Sequence, residues 1–166
     1  RADQPGARQA DINVLLTRLA GGGLHVVRLK SGDPMVFGRA GEEIAALREA
    51  RIPVSVVPGI SAAQALAAAL GVSLTHRDLA QSVRFVTGHT KDGDLPAGLD
   101  WRTLADRSTT TVIYMGARLA DRLVERLRSV GMDEWMPVAV GVALGRAEEA
   151  VGVVPLAGLA ALVGRP

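Results

Sequence analysis

The stretch Val26-Val27-Arg28-Leu29-Lys30-Ser31-Gly32-Asp33-Pro34-Met35-Val36-Phe37-Gly38-Arg39 decides how this chain folds. A β-branched, apolar run halts at Ser31-Gly32-Asp33-Pro34, and Met35-Val36-Phe37-Gly38 then leads into a helical pattern, which predicts a strand, a tight loop and a helix. In an open α/β sheet the loop leaving the carboxyl end of a strand is where small ligands sit, because the sheet leaves its backbone groups unpaired. Gly32 lets a ligand approach the main chain closely, and Asp33 sets an acceptor beside it. Gly-Asp-Pro is also common turn chemistry, so an ordinary strand-to-helix turn accounts for the same residues equally well.

Upstream, Ile12, Leu15, Leu16, Leu19 and Ala20 recur at helical spacing until Gly21-Gly22-Gly23, which predicts an amphipathic helix. Leu24 to Leu29 is the strand, and His25 within it is assigned no role. Downstream, Ala40 to Ala50 reads as a second helix, with Ile44 and Leu47 inward and Glu42, Glu43, Arg48 and Glu49 on a polar outer face. Ile52 to Val57 follows as a strand and stops at Pro58-Gly59. Two strands joined through a helix predict a right-handed βαβ unit and a parallel sheet. Ser61 is placed to cap the alanine-rich helix Ala62 to Leu70, which Gly71 ends. The same corner, Pro58-Gly59-Ile60-Ser61-Ala62, also suits free backbone N–H groups aimed at an anionic part of a ligand.

Leu74-Thr75-His76-Arg77-Asp78 is a dense polar cluster ahead of a strand from Ser82 to Thr87. His76 reads either as a general base oriented by Asp78 or as part of a surface loop with a salt bridge. Gly88-His89-Thr90-Lys91-Asp92-Gly93 opens a Gly/Pro/Asp-rich excursion to Leu99, expected to be a mobile loop, and order restarts at Asp100 or Trp101. Thr109 to Tyr114 is a strand running into Met115-Gly116, where Met115 either lines an apolar pocket or fills the core. Leu119, Leu123, Val124 and Leu127 share one helix face, ended by Gly131. Pro137 to Val142 and Val151 to Val154 read as strands, and Leu156 to Val163 as a short helix.

With 166 residues, 48% hydrophobic and 22% charged, the chain suits one globular unit or two small lobes and argues against disorder. The absence of cysteine excludes disulfides and thiolate metal sites, and His25, His76 and His89 lack the close spacing of zinc ligands. No apolar run spans a bilayer and Arg1 to Gly6 has no signal-peptide core, so a soluble, cytoplasmic protein is expected. A net charge of +2 and 3% aromatics supply neither a basic stripe nor stacking platforms, which argues against a nucleic-acid partner. Scattered arginines suit a solvated surface or guanidinium contacts to a small polyanion. Neither a Walker loop nor a Gly-x-Ser-x-Gly elbow is present.

Several of these blocks occur together and in order. They are Val27 to Pro34, Phe37-Gly38-Arg39 with Gly41-Glu42-Glu43, Val57 to Ala62, Leu74 to Asp78 with Ala80-Gln81-Ser82-Val83, Val86-Thr87-Gly88-His89, and Tyr114-Met115-Gly116. Over nearly the whole chain they resemble the tetrapyrrole methylase family, and the Leu-Thr-His-Arg-Asp and Thr-Gly-His blocks are most similar to the branch that methylates uroporphyrinogen III. The resemblance implies two α/β lobes holding S-adenosylmethionine in a cleft. Residues 1–58 would be the second half of the first lobe, and residues 59–166 a second lobe missing its last strands. It carries the cofactor contacts to Ser31, Gly32, Asp33, Val36, Ser61, Ala62 and Met115, with a further one between Gly141 and Gly145, taken as Gly145. It implies two methyl transfers to pyrrole carbons, giving precorrin-2 on the route to sirohaem or cobalamin. Arg28, Arg39 and Arg77 are the candidates for the eight substrate carboxylates. A homodimer is the form the family suggests.

Three departures accompany the resemblance. The family's Gly-Pro-Gly-Asp loop, catalytic aspartate and lysine fall upstream of Arg1, so no catalytic residue is assigned and turnover by this chain alone is not expected. Ser31 replaces a glycine of the usual Gly-Gly-Asp-Pro; if that position needs positive φ the serine costs roughly 1 kcal/mol. Val142-Ala143-Leu144-Gly145 replaces Glu-Asn-Gly-Thr, and a sheet edge left open there would pair with another chain. A non-catalytic remnant serving interaction or dimerisation, a sibling tetrapyrrole methylase, and fusion to a dehydrogenase–chelatase module stay open at this point.

Overall fold

The spacing that runs from Ile12 to Leu19 forms α1, Gln9–Gly21, with Leu16 as its buried contact. The computed structural model describes residues 8–90 and 92–163; Arg1, Lys91 and Pro166, which the sequence reading used, lie outside the described residues. The chain divides into two compact units, Arg1–Ser61 and Ala62–Pro166. In the first, α1 packs on α2, Ala40–Glu49. Gln9 of α1 donates to the Glu43 carboxylate at 3.1 Å, and Asn13 donates to the Glu42 carbonyl at 3.5 Å.

The first unit corrects the sequence reading twice. Leu24 to Leu29 and Ile52 to Val57 belong to no strand ladder among the described residues, so the expected βαβ unit with a parallel sheet is not formed there. Their composition favours extended backbone, yet a ladder also needs a neighbour about 4.8 Å away, and no described residue supplies one. Val27, Leu29 and Val57 are consequently left exposed. The second correction concerns Glu43, read as part of a polar outer face but only 4% exposed. It occupies the apolar stripe formed by Ala40, Ile44 and Leu47, at the i, i+3, i+4, i+7 positions of one helical face.

The second unit opens on α3, Ala62–Leu70, ended by Gly71 at φ +65°. Its first sheet pairs β1, Ser82–Thr87, in parallel with β2, Thr109–Tyr114, from Ser82 opposite Thr109 to Thr87 opposite Tyr114. Its second pairs β3, Pro137–Val142, antiparallel with β4, Ala150–Pro155. Between them run a 3₁₀ turn at Trp101–Ala105, α4 at Ala120–Ser129, and then α5 at Leu159–Val163 after β4. The excursion read as mobile is folded on itself. Thr90 N–H donates to the Asp94 carbonyl at 2.7 Å, Arg122 meets Asp94 at 2.7 Å, and Trp101 Nε1 donates to the Pro96 carbonyl at 3.2 Å. Asp100 caps the following turn by accepting from Arg102 N–H, so order does restart there.

The core gathers Val86 from β1, Trp101 and Leu104 from the 3₁₀ turn, Leu123, Val124 and Leu127 from α4, and Leu156 and Leu159 beyond β4. Leu156 is the most enclosed, at 1% exposure. Leu156→Ala removes three buried carbons from a site that cannot collapse freely, and is expected to cost about 2–5 kcal/mol in urea denaturation. Among the described residues no helix is long and apolar enough to cross a membrane.

Candidate functional site

Two corners of the first unit, at the ends of its extended segments, are joined by one carboxylate. Gly32 turns the chain at φ +70°, the left-handed region that glycine adopts freely. Ser31 is not in that region, so the strain expected of a serine there does not arise. Asp33 Oδ1 accepts from the Met35 N–H at 2.8 Å, while Oδ2 accepts from the Gly59 N–H at 3.1 Å. A carboxylate holding backbone amides from both loops fixes one against the other, because charge-assisted bonds are roughly twice as strong as neutral ones. The two main chains approach so closely that a Cβ on Gly59 would strike the Gly32 carbonyl oxygen. Val36, half-buried, closes the turn by donating its N–H to the Asp33 carbonyl at 3.3 Å. Ser61 is buried at 2% exposure.

Beyond Pro34 the chain is tight. Phe37 and Arg39 adopt φ of +50° and +55°, unusual for residues with side chains. A Cβ on Gly38 would meet the Pro34 carbonyl oxygen. Lys30 Nζ donates to the Gly38 carbonyl and lies 3.0 Å from the Glu43 carboxylate. Arg28 Nε reaches the same carboxylate at 3.4 Å and also donates from its guanidinium to the Leu29 carbonyl at 2.8 Å. Arg39 grips Glu42 with two bonds, at 2.7 and 2.8 Å, on the surface.

Burial pushes the Glu43 carboxyl up, but hydrogen bonds from Lys30 and Gln9 and the charges of Lys30 and Arg28 more than offset it, leaving it below the ordinary carboxylate range. A depressed folded-state value contributes stability that is complete above the unfolded carboxyl's pKa of about 4.3 and is lost as pH falls through the lower folded value. Acid titration followed by circular dichroism is therefore expected to show a loss of helicity below about pH 4.3 that Glu43→Gln flattens.

In the second unit the ends of β1 and β2 form another corner. Gly88 N–H donates to the Tyr114 carbonyl at 2.6 Å. A Cβ on Gly88 would stand 2.6 Å from Gly116 Cα. Met115, between Tyr114 and Gly116, adopts φ +60° and is 51% exposed, which excludes the core-filler reading and leaves a strained, accessible residue. The Tyr114 hydroxyl accepts from the Ala63 N–H at 3.3 Å, tying this corner to the start of α3 beside Ala62. The end of β3 meets the middle of α3, since a Cβ on Gly141 would lie 2.8 Å from Leu66 Cδ1. Past that point Ala143 and Gly145 have φ of +52° and +74°, and Gly145 N–H donates to Glu149 at 2.6 Å. Tyr114, which precedes Met115, and Gly141, which precedes the turn to Gly145, thus both meet α3.

Arg77 lines a shallow, open hollow with Thr75, His76, Ala80 and Gln81. His76 Nδ1 accepts from the backbone N–H of Asp78 at 3.2 Å, so the Asp78 main chain, not its carboxylate, holds the ring. That leaves Nε2 carrying the proton in the neutral ring. Glu43 and Lys30 hold the first of these corners and Gly88 the second, and the sequence reading gave none of the three a site role. The signal for Glu43 was its place in the apolar stripe of α2. Among the described residues no group of His, Asp and Glu is arranged to hold a metal ion.

The profile of the tetrapyrrole (corrin/porphyrin) methylases matches residues 1–160. The siroheme synthase 2 of Cronobacter sakazakii is 52% identical over 132 residues, which is 80% of this chain and 28% of that protein. The siroheme synthase of Citrobacter koseri is 54% identical over the same length and shares. The chain thus spans between a quarter and a third of the length of these relatives. Among solved structures, a uroporphyrin-III C-methyltransferase from Thermus thermophilus complexed with S-adenosyl homocysteine aligns with a TM-score of 0.79 and 36% identity, over 95% of this chain and 68% of that one. A cobalt precorrin-4 methyltransferase aligns with a TM-score of 0.83 at 23% identity, over 97% of this chain and 67% of that one, a likeness of fold.

Proposed function

Because the chain belongs to the tetrapyrrole (corrin/porphyrin) methylases, we propose that the full-length protein transfers methyl groups from S-adenosylmethionine to carbons of uroporphyrinogen III, forming precorrin-2. The observation that carries this reading is the 36% identity, over 95% of the chain, to a methyltransferase complexed with S-adenosyl homocysteine. The cofactor supplies an activated methyl group on a sulfonium, so the protein's task is chiefly to orient donor and acceptor.

In the first unit Ser31, Gly32, Asp33, Val36 and Ser61 are proposed as cofactor contacts; in the second unit, taken by itself, Ala62, Met115 and Gly145 are proposed as cofactor contacts. The backbone fits such a ligand at two points. Gly32 carries no side chain beside the Asp33 carboxylate, and Met115 is exposed in a strained conformation. Arg28, Arg39 and Arg77 are proposed for the substrate carboxylates. The Arg39–Glu42 pair is exposed on both sides and therefore weak, so a substrate carboxylate can exchange for Glu42 at little cost. The family resemblance further supports a homodimer, and the low net charge and aromatic content favour a cytoplasmic protein with no nucleic-acid partner.

Calorimetric titration of this chain with S-adenosylhomocysteine is expected to give saturable one-site binding. Absence of heat with ligand at about 1 mM, where even a 4 kcal/mol interaction half-saturates, would remove the cofactor assignment.

A further inference from the structure

Glu43 is the one buried carboxylate among the described residues, and nothing in the proposed chemistry uses it. Its neighbours come from two separate parts of the first unit: Gln9 on α1, and Arg28 and Lys30 on the extended segment that ends at Ser31. Lys30 has a second partner, the Gly38 carbonyl, and its side chain is only 11% exposed. A buried ammonium without a counter-charge is costly, so Lys30 stays in place because Glu43 is there. Gly38 lies between Phe37 and Arg39, the two residues held at positive φ. Each such residue costs about 1 kcal/mol, so the loop keeps this shape only if something outside it compensates. Nearby, the surface pair of Arg39 with Glu42 is too exposed to do so.

We propose that Glu43 is a positioning residue: acting through Lys30 on the Gly38 carbonyl, it holds the 31–39 loop in the conformation that presents Gly32 and Asp33 to the cofactor. The proposal rests on the reading of Gly32 and Asp33 as cofactor contacts, but its effect on loop shape exists without any ligand. Two bonds run in series, Glu43 to Lys30 and Lys30 to Gly38, so removing either has the same consequence. Glu43→Gln turns an amide N–H₂ toward Lys30 or Gln9, and Lys30→Met keeps the stem while deleting both bonds.

The test is amide hydrogen exchange on the ligand-free chain, read on peptides covering 31–39, alongside S-adenosylhomocysteine titration. Each variant is expected to exchange about 10–100-fold faster in that loop and to bind correspondingly more weakly, as loss of a charge-assisted bond implies. The double variant should add little to either single one, because both break one series. Unchanged loop exchange in folded Glu43→Gln, with only a lower melting temperature, would overturn the proposal. If Glu43→Gln does not fold, Glu43→Asp takes its place. It keeps the charge, withdraws it by one methylene, and must accelerate the same amides. Should the unaltered chain fail to bind S-adenosylhomocysteine, the cofactor reading falls while the exchange data still decide the role of Glu43.

Discussion

Gly59→Ala is expected to weaken S-adenosylhomocysteine binding by about a hundredfold or more. The added Cβ meets the Gly32 carbonyl oxygen, which is backbone and cannot rotate away. Relief requires the two main chains to part, and parting them stretches the Gly59 N–H bond to Asp33 Oδ2. Two penalties therefore act together: overpacking, typically about 1–3 kcal/mol, and loss of a hydrogen bond to a charged acceptor, about 1.5–3 kcal/mol. Gly59 does not sit at positive φ, so alanine carries no conformational strain of its own and the effect isolates the close approach. Asp33→Asn provides the comparison, since it replaces one acceptor by a donor and leaves the packing alone. Calorimetry on folded Gly59→Ala settles the matter, and an affinity equal to that of the unaltered chain would mean that the corners are not held this way.

Gly88→Ala is expected to destabilise the second unit by about 3 kcal/mol or more, read as the midpoint shift in urea. Here the new Cβ falls 2.6 Å from Gly116 Cα, 2.9 Å from Gly116 N and 3.1 Å from Ile113 Cγ2. The Gly88 N–H bond to the Tyr114 carbonyl lies at the same spot, so the ends of β1 and β2 cannot separate without losing it. Gly116→Ala is the control. Its Cβ would meet only the side-chain tips of Ile113 and Leu123, each at 3.3 Å, and a few tenths of an ångström of movement relieve it. A cost below about 1 kcal/mol is expected for that variant. Equal midpoints for the two would contradict the strand-end packing.

Where an element and its partner both lie within the described chain, local pattern sufficed. β1, β2 and β3 begin and end where β-branched runs meet turn residues, and α3 runs from the residue after Ser61 to the one before Gly71. Leu24 to Leu29 and Ile52 to Val57 carry equally good strand composition and yet form no ladder among the described residues, because pairing depends on a neighbour and composition does not encode one. Glu43 was misjudged for a related reason. A charged residue on a helix is solvated by default, and it is buried here only because Arg28 and Lys30, at separate positions, turn toward it.

The candidate site divides along the same line. Gly32 and Asp33 were legible as a tight corner carrying an acceptor from their own residue types. That Asp33 spans to Gly59, 26 residues away, was not, since nothing near either residue announces the other. Ser31 was suspected of strain on the strength of a family pattern, but the left-handed position is Gly32. Trp101, buried and donating to the Pro96 carbonyl, likewise ties an apparently loose, glycine-rich excursion to the core, which its own residues do not announce.

Both tryptophans and the single tyrosine belong to the second unit. Trp101 is enclosed at 5% exposure with Arg126 5.9 Å over its ring, whereas Trp135 is 73% exposed. Emission excited at the red edge of absorption therefore has a shielded, blue-shifted component and one that acrylamide quenches readily. Both components sit in the second unit, so fluorescence melting follows that unit while circular dichroism follows both, and a circular-dichroism transition without a fluorescence counterpart reports the first unit.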